Sequence, residues 1–115
     1  MTTRVVNKAT GAVFDVDVTR PSEWSNPFAV DRGRPTQAMF LVGTLSEALR
    51  GYEEWLGARP ELVAKARKEL RGKTIACVCV NDLRGKAPIV CHAQILARVA
   101  DGKKLPILPP LKAVL

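Results

Sequence analysis

The most informative run in the chain is Thr74-Ile75-Ala76-Cys77-Val78-Cys79-Val80, in which apolar and β-branched residues are nearly continuous. A strand with one solvent-facing side alternates apolar and polar residues, whereas a strand covered on both sides has no need to. The run therefore predicts a central strand that is buried on both faces. Strands of this kind are typical of α/β domains, in which helices cover the sheet.

Two further strands are predicted near the N-terminus, at residues 4–7 and 12–18. The residues between them, 8–11, end in glycine and predict a hairpin turn. Every second residue of the later strand is apolar from Phe14 onward, so that one of its faces is expected to be buried. Residues 39–42 fit either a short strand or an apolar plug.

Three helices are predicted in the rest of the chain. Thr44 and the glutamate three residues later match a capping box, and apolar residues then recur at helical spacing. Pro60 suits the first turn of a second helix at residues 61–70. A third helix is expected from Cys91 or His92 to Ala100, and the glycine at 102 would stop it.

This order of elements predicts a small single α/β domain over residues 1–104. We expect a two-layer or three-layer sandwich, with a short sheet of three or four strands and about three helices. Residues 105–115 contain three prolines among leucines and predict an extended tail. The tail would pack along the body or against a partner, including a second copy of the chain.

The chain has 115 residues and a formal net charge of +7 at pH 7. That charge fits an anionic partner such as nucleic acid, a nucleotide or a phosphorylated small molecule, and it equally fits a role in solubility. Three cysteines cannot form a fully paired disulfide framework, which favours a reducing, cytoplasmic setting. The sequence shows no signal peptide and no membrane-spanning run of about 18 apolar residues.

The cysteines and the single histidine define a candidate metal site. Cys77 and Cys79 are two residues apart on the predicted strand, so their side chains point to the same face. Cys91 and His92 are adjacent where a loop meets the last helix. Three thiolates and one imidazole form a known zinc ligand set, although this spacing is not that of a standard zinc finger. The alternative is that the thiols pack as small apolar side chains.

A third interpretation makes Cys91 and His92 catalytic candidates. A helix N-terminus stabilises a thiolate, so Cys91 would be the reactive thiol. His92 would act as a base or as an orienting group. Adjacent side chains at a helix start are expected to point apart, which argues against direct proton transfer between them.

A candidate ligand-binding loop follows the second strand and contains Arg20, Ser22 and Asn26. In open α/β sheets ligands bind at the carboxyl ends of the strands, where a guanidinium and small polar groups can hold a phosphate or the edge of a nucleobase. Alternatively, Ser22 and Asn26 satisfy the loop backbone, and Arg20 pairs with Asp17 or Glu23.

Four segments resemble, in the same order, motifs of a family catalogued as domain of unknown function 4326, which is common in bacteriophages and bacteria. Residues 15–28 are similar to its Arg-Pro-Ser and Asn-Pro-Phe opening, and residues 46–56 to its central helix. Residues 70–79 resemble its Leu-Arg-Gly-Lys and Cys-x-Cys strand, and residues 91–96 its Cys-His helix start. The resemblance implies that the family's motif positions here are Arg20, Ser22, Asn26, Pro27, Cys77, Cys79, Cys91 and His92.

The chain departs from the family pattern at several motif positions. Ser25 replaces the usual glycine, Val78 a tryptophan, and Ala93-Gln94 a Gly-Asp pair. The family carries no established reaction, so the resemblance implies positions and not an activity.

Two functions are compatible with these observations. The first is a small, phage-encoded protein of the host cytoplasm that binds a nucleotide-like or other anionic ligand at the Arg20–Phe28 loop, next to the Cys/His cluster. The second is a non-enzymatic module that binds a host protein or nucleic acid and holds a structural zinc ion or a packed thiol cluster. Whether the protein is an enzyme stays open at this point.

Overall fold

The computed structural model describes residues 3–19, 22–30, 33, 40–77, 91–105, 107 and 108. Its elements, in chain order, are β1 (Arg4–Asn7), β2 (Val16–Asp17), β3 (Phe28–Val30), β4 (Phe40–Val42), α1 (Leu45–Gly57), α2 (Pro60–Glu69), β5 (Thr74–Cys77) and α3 (His92–Ala100). The expected α/β class with three helices is confirmed.

Strand β5 is the centre of a three-stranded sheet with the order β1-β5-β2. Both neighbours run parallel to it, and Ile75 of β5 lies opposite Val5 of β1 and Val16 of β2. Ile75 and Ala76 are fully buried, as expected for a strand without a polar face. The central strand is thus confirmed for residues 74–77, and residues 78–80 lie outside the described part of the chain.

The predicted hairpin between the first two strands is wrong. Residues 8–10 form a 3-10 turn that Asn7 caps, and the chain then returns to the opposite edge of the sheet, where the Asp15 amide donates to the Thr74 carbonyl at 2.8 Å. The second strand is also shorter than residues 12–18, and Val13 is 91% exposed. The turn at residues 8–11 does not form a hairpin because β1 and β2 do not pair with each other. Instead each pairs in parallel with β5, which is buried on both faces and takes a partner on each side.

A second, two-stranded sheet pairs β3 with β4 in parallel. The rings of Phe28 and Phe40 stack across it with their centroids 5.0 Å apart. The short strand expected near residues 39–42 is therefore present at Phe40–Val42, whereas β3 was not expected. Helix α1 packs on this small sheet, because the absent side chain of Gly51 leaves room for the ring of Phe28.

The three helices begin and end close to their predicted bounds. The Thr44 hydroxyl accepts the Glu47 amide at 3.1 Å at the start of α1, and Pro60 occupies the first turn of α2. Helix α2 packs against both α1 and α3, and α3 packs on β1 and β5. No helix within the described ranges is both long enough and apolar enough to cross a membrane.

The start of the predicted tail packs on the body of the protein. Leu105, Ile107 and Leu108 contact the core, and the amides of Ile107 and Leu108 donate to the buried carboxylate of Glu53 at 2.6 and 2.8 Å. Pro106 and residues 109–115 lie outside the described residues, so the expected contact with a partner or a second copy stays a prediction.

Candidate functional site

Because the three strands of the larger sheet are parallel, their carboxyl ends meet at one edge. We call this the carboxyl edge; the strands reach it at Asn7, Asp17 and Cys77. Helix α3 begins there too, since the Nε2 atom of His92 lies 2.9 Å from the Val18 carbonyl oxygen, just after β2. This contact joins residues 74 positions apart in the sequence.

Cys91 and His92 form a close pair at the start of α3. Cys91 is the N-cap, and the Gln94 side chain accepts its backbone amide at 3.0 Å. A carbonyl oxygen can only accept, so the contact with Val18 requires a proton on Nε2 of His92. In the neutral ring Nδ1 is then the acceptor, and it lies 3.7 Å from the Cys91 sulfur. The two side chains therefore face each other, contrary to the expectation that they point apart.

Tyr52 of α1 lies behind this pair and links it to the loop after β2. Its ring meets the His92 ring edge-on at 5.2 Å, and its hydroxyl donates to the Trp24 carbonyl at 2.9 Å. Burial raises the pKa of Tyr52 far above its usual value, and the charge of a Cys91 thiolate raises it further. Tyr52 therefore stays neutral and acts as a donor that holds the loop.

The structure places part of the predicted metal set. Cys77 is fully buried at the end of β5, and Cys91 is 2% exposed beside His92. Cys79 lies outside the described residues. Within the ranges that are described, no three His, Cys, Asp or Glu side chains form a group that could hold a metal ion. The four-residue zinc set stays a prediction.

The described polar residues of the predicted ligand loop are hydrogen-bonded to backbone groups of the loop and of α1. The Ser22 hydroxyl accepts the Trp24 amide at 3.0 Å, and the Ser25 hydroxyl donates to the Ser22 carbonyl at 2.6 Å. Asn26 is 7% exposed; its amide group donates to the Ala48 carbonyl at 3.1 Å, and its oxygen accepts the Phe28 amide at 2.9 Å. Arg20 lies outside the described residues.

Sequence reasoning missed a polar cluster at the carboxyl edge. The Lys8 ammonium lies 2.8 Å from the Asp17 carboxylate and 3.0 Å from the Thr19 hydroxyl. Partial burial raises the pKa of Asp17, but the hydrogen bonds from Lys8 and Thr19 outweigh it and lower that pKa to about 2. Glu23 pairs with Lys65 of α2. The expected pairing of Arg20 with Asp17 or Glu23 stays a prediction, because Arg20 lies outside the described residues.

The positions of these residues at strand ends could have predicted the cluster from the sequence, but the hairpin prediction placed them apart. Lys8 directly follows β1, while Asp17 and Thr19 are at the end of β2. In a hairpin these positions would lie at opposite ends of the pair, whereas in a parallel sheet they share one edge.

A protein-family model described as "Domain of unknown function (DUF4326)" matches residues 3–102 of the chain. Comparisons with curated proteins and with solved structures returned no match.

Proposed function

The chain belongs to the DUF4326 family, and we propose that it binds a small anionic, nucleotide-like ligand at the carboxyl edge of its parallel sheet. The ligand would lie between the loop that follows β2 and the start of α3. The observation that carries the proposal is the contact of His92 with the Val18 carbonyl, which brings this loop, the end of β2 and a helix N-terminus together. Ligands of open parallel sheets bind at such edges.

Lys8 supplies the positive charge of the described part of this site. Its ammonium is partly exposed and has one carboxylate partner, Asp17, so it retains hydrogen-bonding capacity for a phosphate oxygen. The resemblance to the family motif adds two residues of the loop that follows β2: Arg20 as a second cation and Ser22 as a hydrogen-bonding group. Asn26 serves the site by fixing the loop on α1 through its two backbone contacts.

Cys91 and His92 would flank the ligand, and they are also the candidates for any chemistry on it. The thiol of Cys91 is 2% exposed, which favours a structural or metal-binding role over that of a nucleophile. We place the protein in the cytoplasm, and in the host cytoplasm if a bacteriophage carries the gene, because buried thiols suit a reducing compartment.

Thermal unfolding of the full chain with phosphate, adenosine, AMP and ATP tests the ligand proposal. A ligand at free concentration L that binds only the folded state stabilises it by RT ln(1 + L/Kd), so at equal concentrations the tightest ligand raises the melting temperature most. AMP or ATP should therefore raise it more than adenosine or phosphate alone. Lys8→Met should abolish most of this shift, whereas Lys68→Met, on an exposed part of α2, should retain it.

Two outcomes would contradict the ligand proposal. The first is a wild-type protein whose melting temperature none of the four compounds changes. The second is a shift that Lys8→Met leaves at its full size, which would move the site away from this edge. Chromatography of the nucleotide after incubation separates simple binding from turnover.

A zinc ion held by Cys77, Cys79, Cys91 and His92 is a second proposal, and it is compatible with the first. The support comes from His92, whose Nε2 proton is directed to a backbone carbonyl, as is usual for histidines that bind metal through the other nitrogen. Tetrahedral zinc with bonds of about 2.3 Å to sulfur and about 2.0 Å to nitrogen would separate a sulfur and a nitrogen ligand atom by about 3.5 Å. The Cys91 sulfur and Nδ1 of His92 are 3.7 Å apart.

Elemental analysis of the untagged full chain tests the zinc proposal. About one zinc ion per chain is expected, and His92→Ala should lower that content strongly. Tyr52→Phe keeps the ring that contacts His92 and removes no ligand, so it should retain the metal. Zinc far below one ion per wild-type chain would refute the proposal.

A further inference from the structure

The end of the molecule opposite the carboxyl edge carries a cluster of positive charge. The strands β1 and β5 begin there, and the chain reaches β5 directly from the end of α2. The C-terminal turns of α2 and α3 meet at this end, since the Arg71 side chain donates to the Ala100 carbonyl at 2.9 Å. We call the following residues of these turns the basic face: Arg67, Lys68, Arg71, Lys73, Lys103 and Lys104.

Hydrogen bonds fix the two halves of the basic face against each other. Arg67 donates to the carbonyls of Val99 and Lys103, both at 3.3 Å. Together with Arg71, it satisfies carbonyls in the last turn of α3 and offsets the negative end of that helix dipole. The arginines thus have a structural role that accounts for their position, and the four lysines do not share it.

The lysines of the basic face have no counter-charge among the described residues. All four are exposed, and the ion pairs among the described residues are formed by Lys8 and Lys65, not by any of these four lysines. The acidic neighbours are Glu69, which lies 4.0 Å from Lys65, and Asp101, whose carboxylate accepts the amide and the hydroxyl of Thr3. The basic face therefore keeps a net positive charge that the fold does not use.

We propose that the basic face binds the phosphate backbone of duplex nucleic acid. Exposed lysines act as mobile point charges that contact phosphates without reading sequence. Proteins that bind single strands add aromatic side chains on which bases stack. The turns that carry the basic face, residues 66–73 and 97–104, contain no aromatic residue. The exposed aromatic side chains of the described chain, Phe14 and Phe40, belong to other segments.

Fluorescence anisotropy with a 20-base-pair DNA duplex of arbitrary sequence tests the proposal on the full chain. If the four lysines each neutralise one phosphate, affinity should fall about 150-fold between 50 and 200 mM salt, because each contact contributes about −0.9 to the log–log slope. The double variant K103Q/K104Q should reduce that fall to about twelvefold and should bind more weakly at 50 mM salt.

The double variant R59Q/K65Q is the matched control. It also removes two positive charges, but from the start and middle of α2, where Arg59 stacks on Trp55 and Lys65 pairs with Glu23. Its salt dependence should equal that of the wild type. Circular dichroism melts of both variants are the check that they remain folded.

Four outcomes would overturn the proposal: no binding at 50 mM salt, affinity independent of salt, equal losses in the two double variants, or tighter binding of a single strand than of the duplex. These results do not depend on the ligand at the carboxyl edge, since the tested lysines lie at the other end of the strands.

Discussion

Asn26 shows how a single side chain holds the candidate loop on the body of the protein. Its hydrogen bond to the Ala48 carbonyl is buried, and the one it accepts from the Phe28 amide is partly buried. We expect Asn26→Ala to lower the free energy of unfolding by about 2–4 kcal/mol, because a buried carbonyl and an amide both lose their partner. Asn7→Ala is the control; it removes one exposed contact to the Ala9 amide and should cost about 1 kcal/mol. Urea denaturation measures both, and equal losses would contradict the role of Asn26.

Asp17 gives the stability of the fold a specific dependence on pH. Burial raises the pKa of its carboxyl, but the contacts with Lys8 and Thr19 prevail and leave that pKa at about 2, below the ordinary 3.8. A group whose pKa is lower in the folded state stabilises fully above its unfolded value and loses this contribution as pH falls. Asp17 should therefore stabilise the protein above about pH 4, and its contribution should disappear as the pH drops to about 2.

The comparison of wild type with Asp17→Asn isolates this contribution from those of the other carboxyl groups. The urea midpoints of the two proteins should differ at pH 5 and converge toward pH 2. The asparagine oxygen can still accept the Thr19 amide, so the difference reports on charge. A difference that stays constant between pH 5 and pH 2 would show that the Lys8 contact does not lower the pKa.

At the scale of elements, the two glycines of α1 distinguish helix propensity from packing. A Cβ at Gly51 would lie 2.8 Å from the ring of Phe28, whereas a Cβ at Gly57 would meet Cδ1 of Leu105 at an ordinary 3.7 Å. Alanine is favoured over glycine in a helix by about 1 kcal/mol, but a forced contact costs about 1–3 kcal/mol.

We therefore expect Gly51→Ala to be destabilising and Gly57→Ala to be neutral or stabilising by up to about 1 kcal/mol. Thermal unfolding followed by circular dichroism gives both values. If Gly51→Ala raised the melting temperature as much as Gly57→Ala, the close packing of α1 on β3 would not require glycine at position 51.

The elements that the sequence predicted well have local causes. The hydroxyl of Thr44 and the ring of Pro60 act within one helical turn, so the helix starts follow from short segments. The central position of β5 was predictable because its residues have no polar face. Strand pairing was not, because the partners of β5 are about 60 to 70 residues away in the chain.

The candidate site likewise has features that the sequence predicted and features that depend on the tertiary fold. The pairing of Cys91 with His92 was predicted as adjacency in sequence, but its geometry is set by the Val18 carbonyl, which lies 74 positions away. Likewise, the contact of Lys8 with Asp17 depends on the parallel arrangement of β1 and β2, whereas the turn between them had predicted an antiparallel hairpin. Residue types indicated the chemistry of the site, and only the tertiary fold could bring them together.

At the scale of the whole molecule, the two proposed surfaces lie at opposite ends of one parallel sheet. The carboxyl edge combines Lys8, Asp17 and the start of α3, while the basic face lies where β1 and β5 begin. A small ligand and a nucleic acid duplex could therefore bind at the same time. The net charge of +7 did not by itself identify a partner, but part of this positive charge is concentrated on the basic face.

The segment after α3 contributes to the fold as a whole, and its removal is the last prediction. Leu105, Ile107 and Leu108 pack on the core, and two of their amides donate to the buried Glu53 carboxylate. A chain that ends at Lys104 should lose about 2–4 kcal/mol of stability, because partly buried apolar side chains are removed and Glu53 loses its donors. Glu53→Gln in the full chain keeps the apolar contacts and should lose less.

Denaturation at several protein concentrations separates this intramolecular role from the alternative that the tail joins two copies. The loss should be the same at low and high concentration if the segment acts within one chain. A wild-type stability that rises with concentration, and a truncated chain whose stability does not, would instead show that the tail holds a dimer together. That result would assign part of the stability to an interface between copies, with the contacts of Ile107 and Leu108 to Glu53 as the point where each tail is anchored.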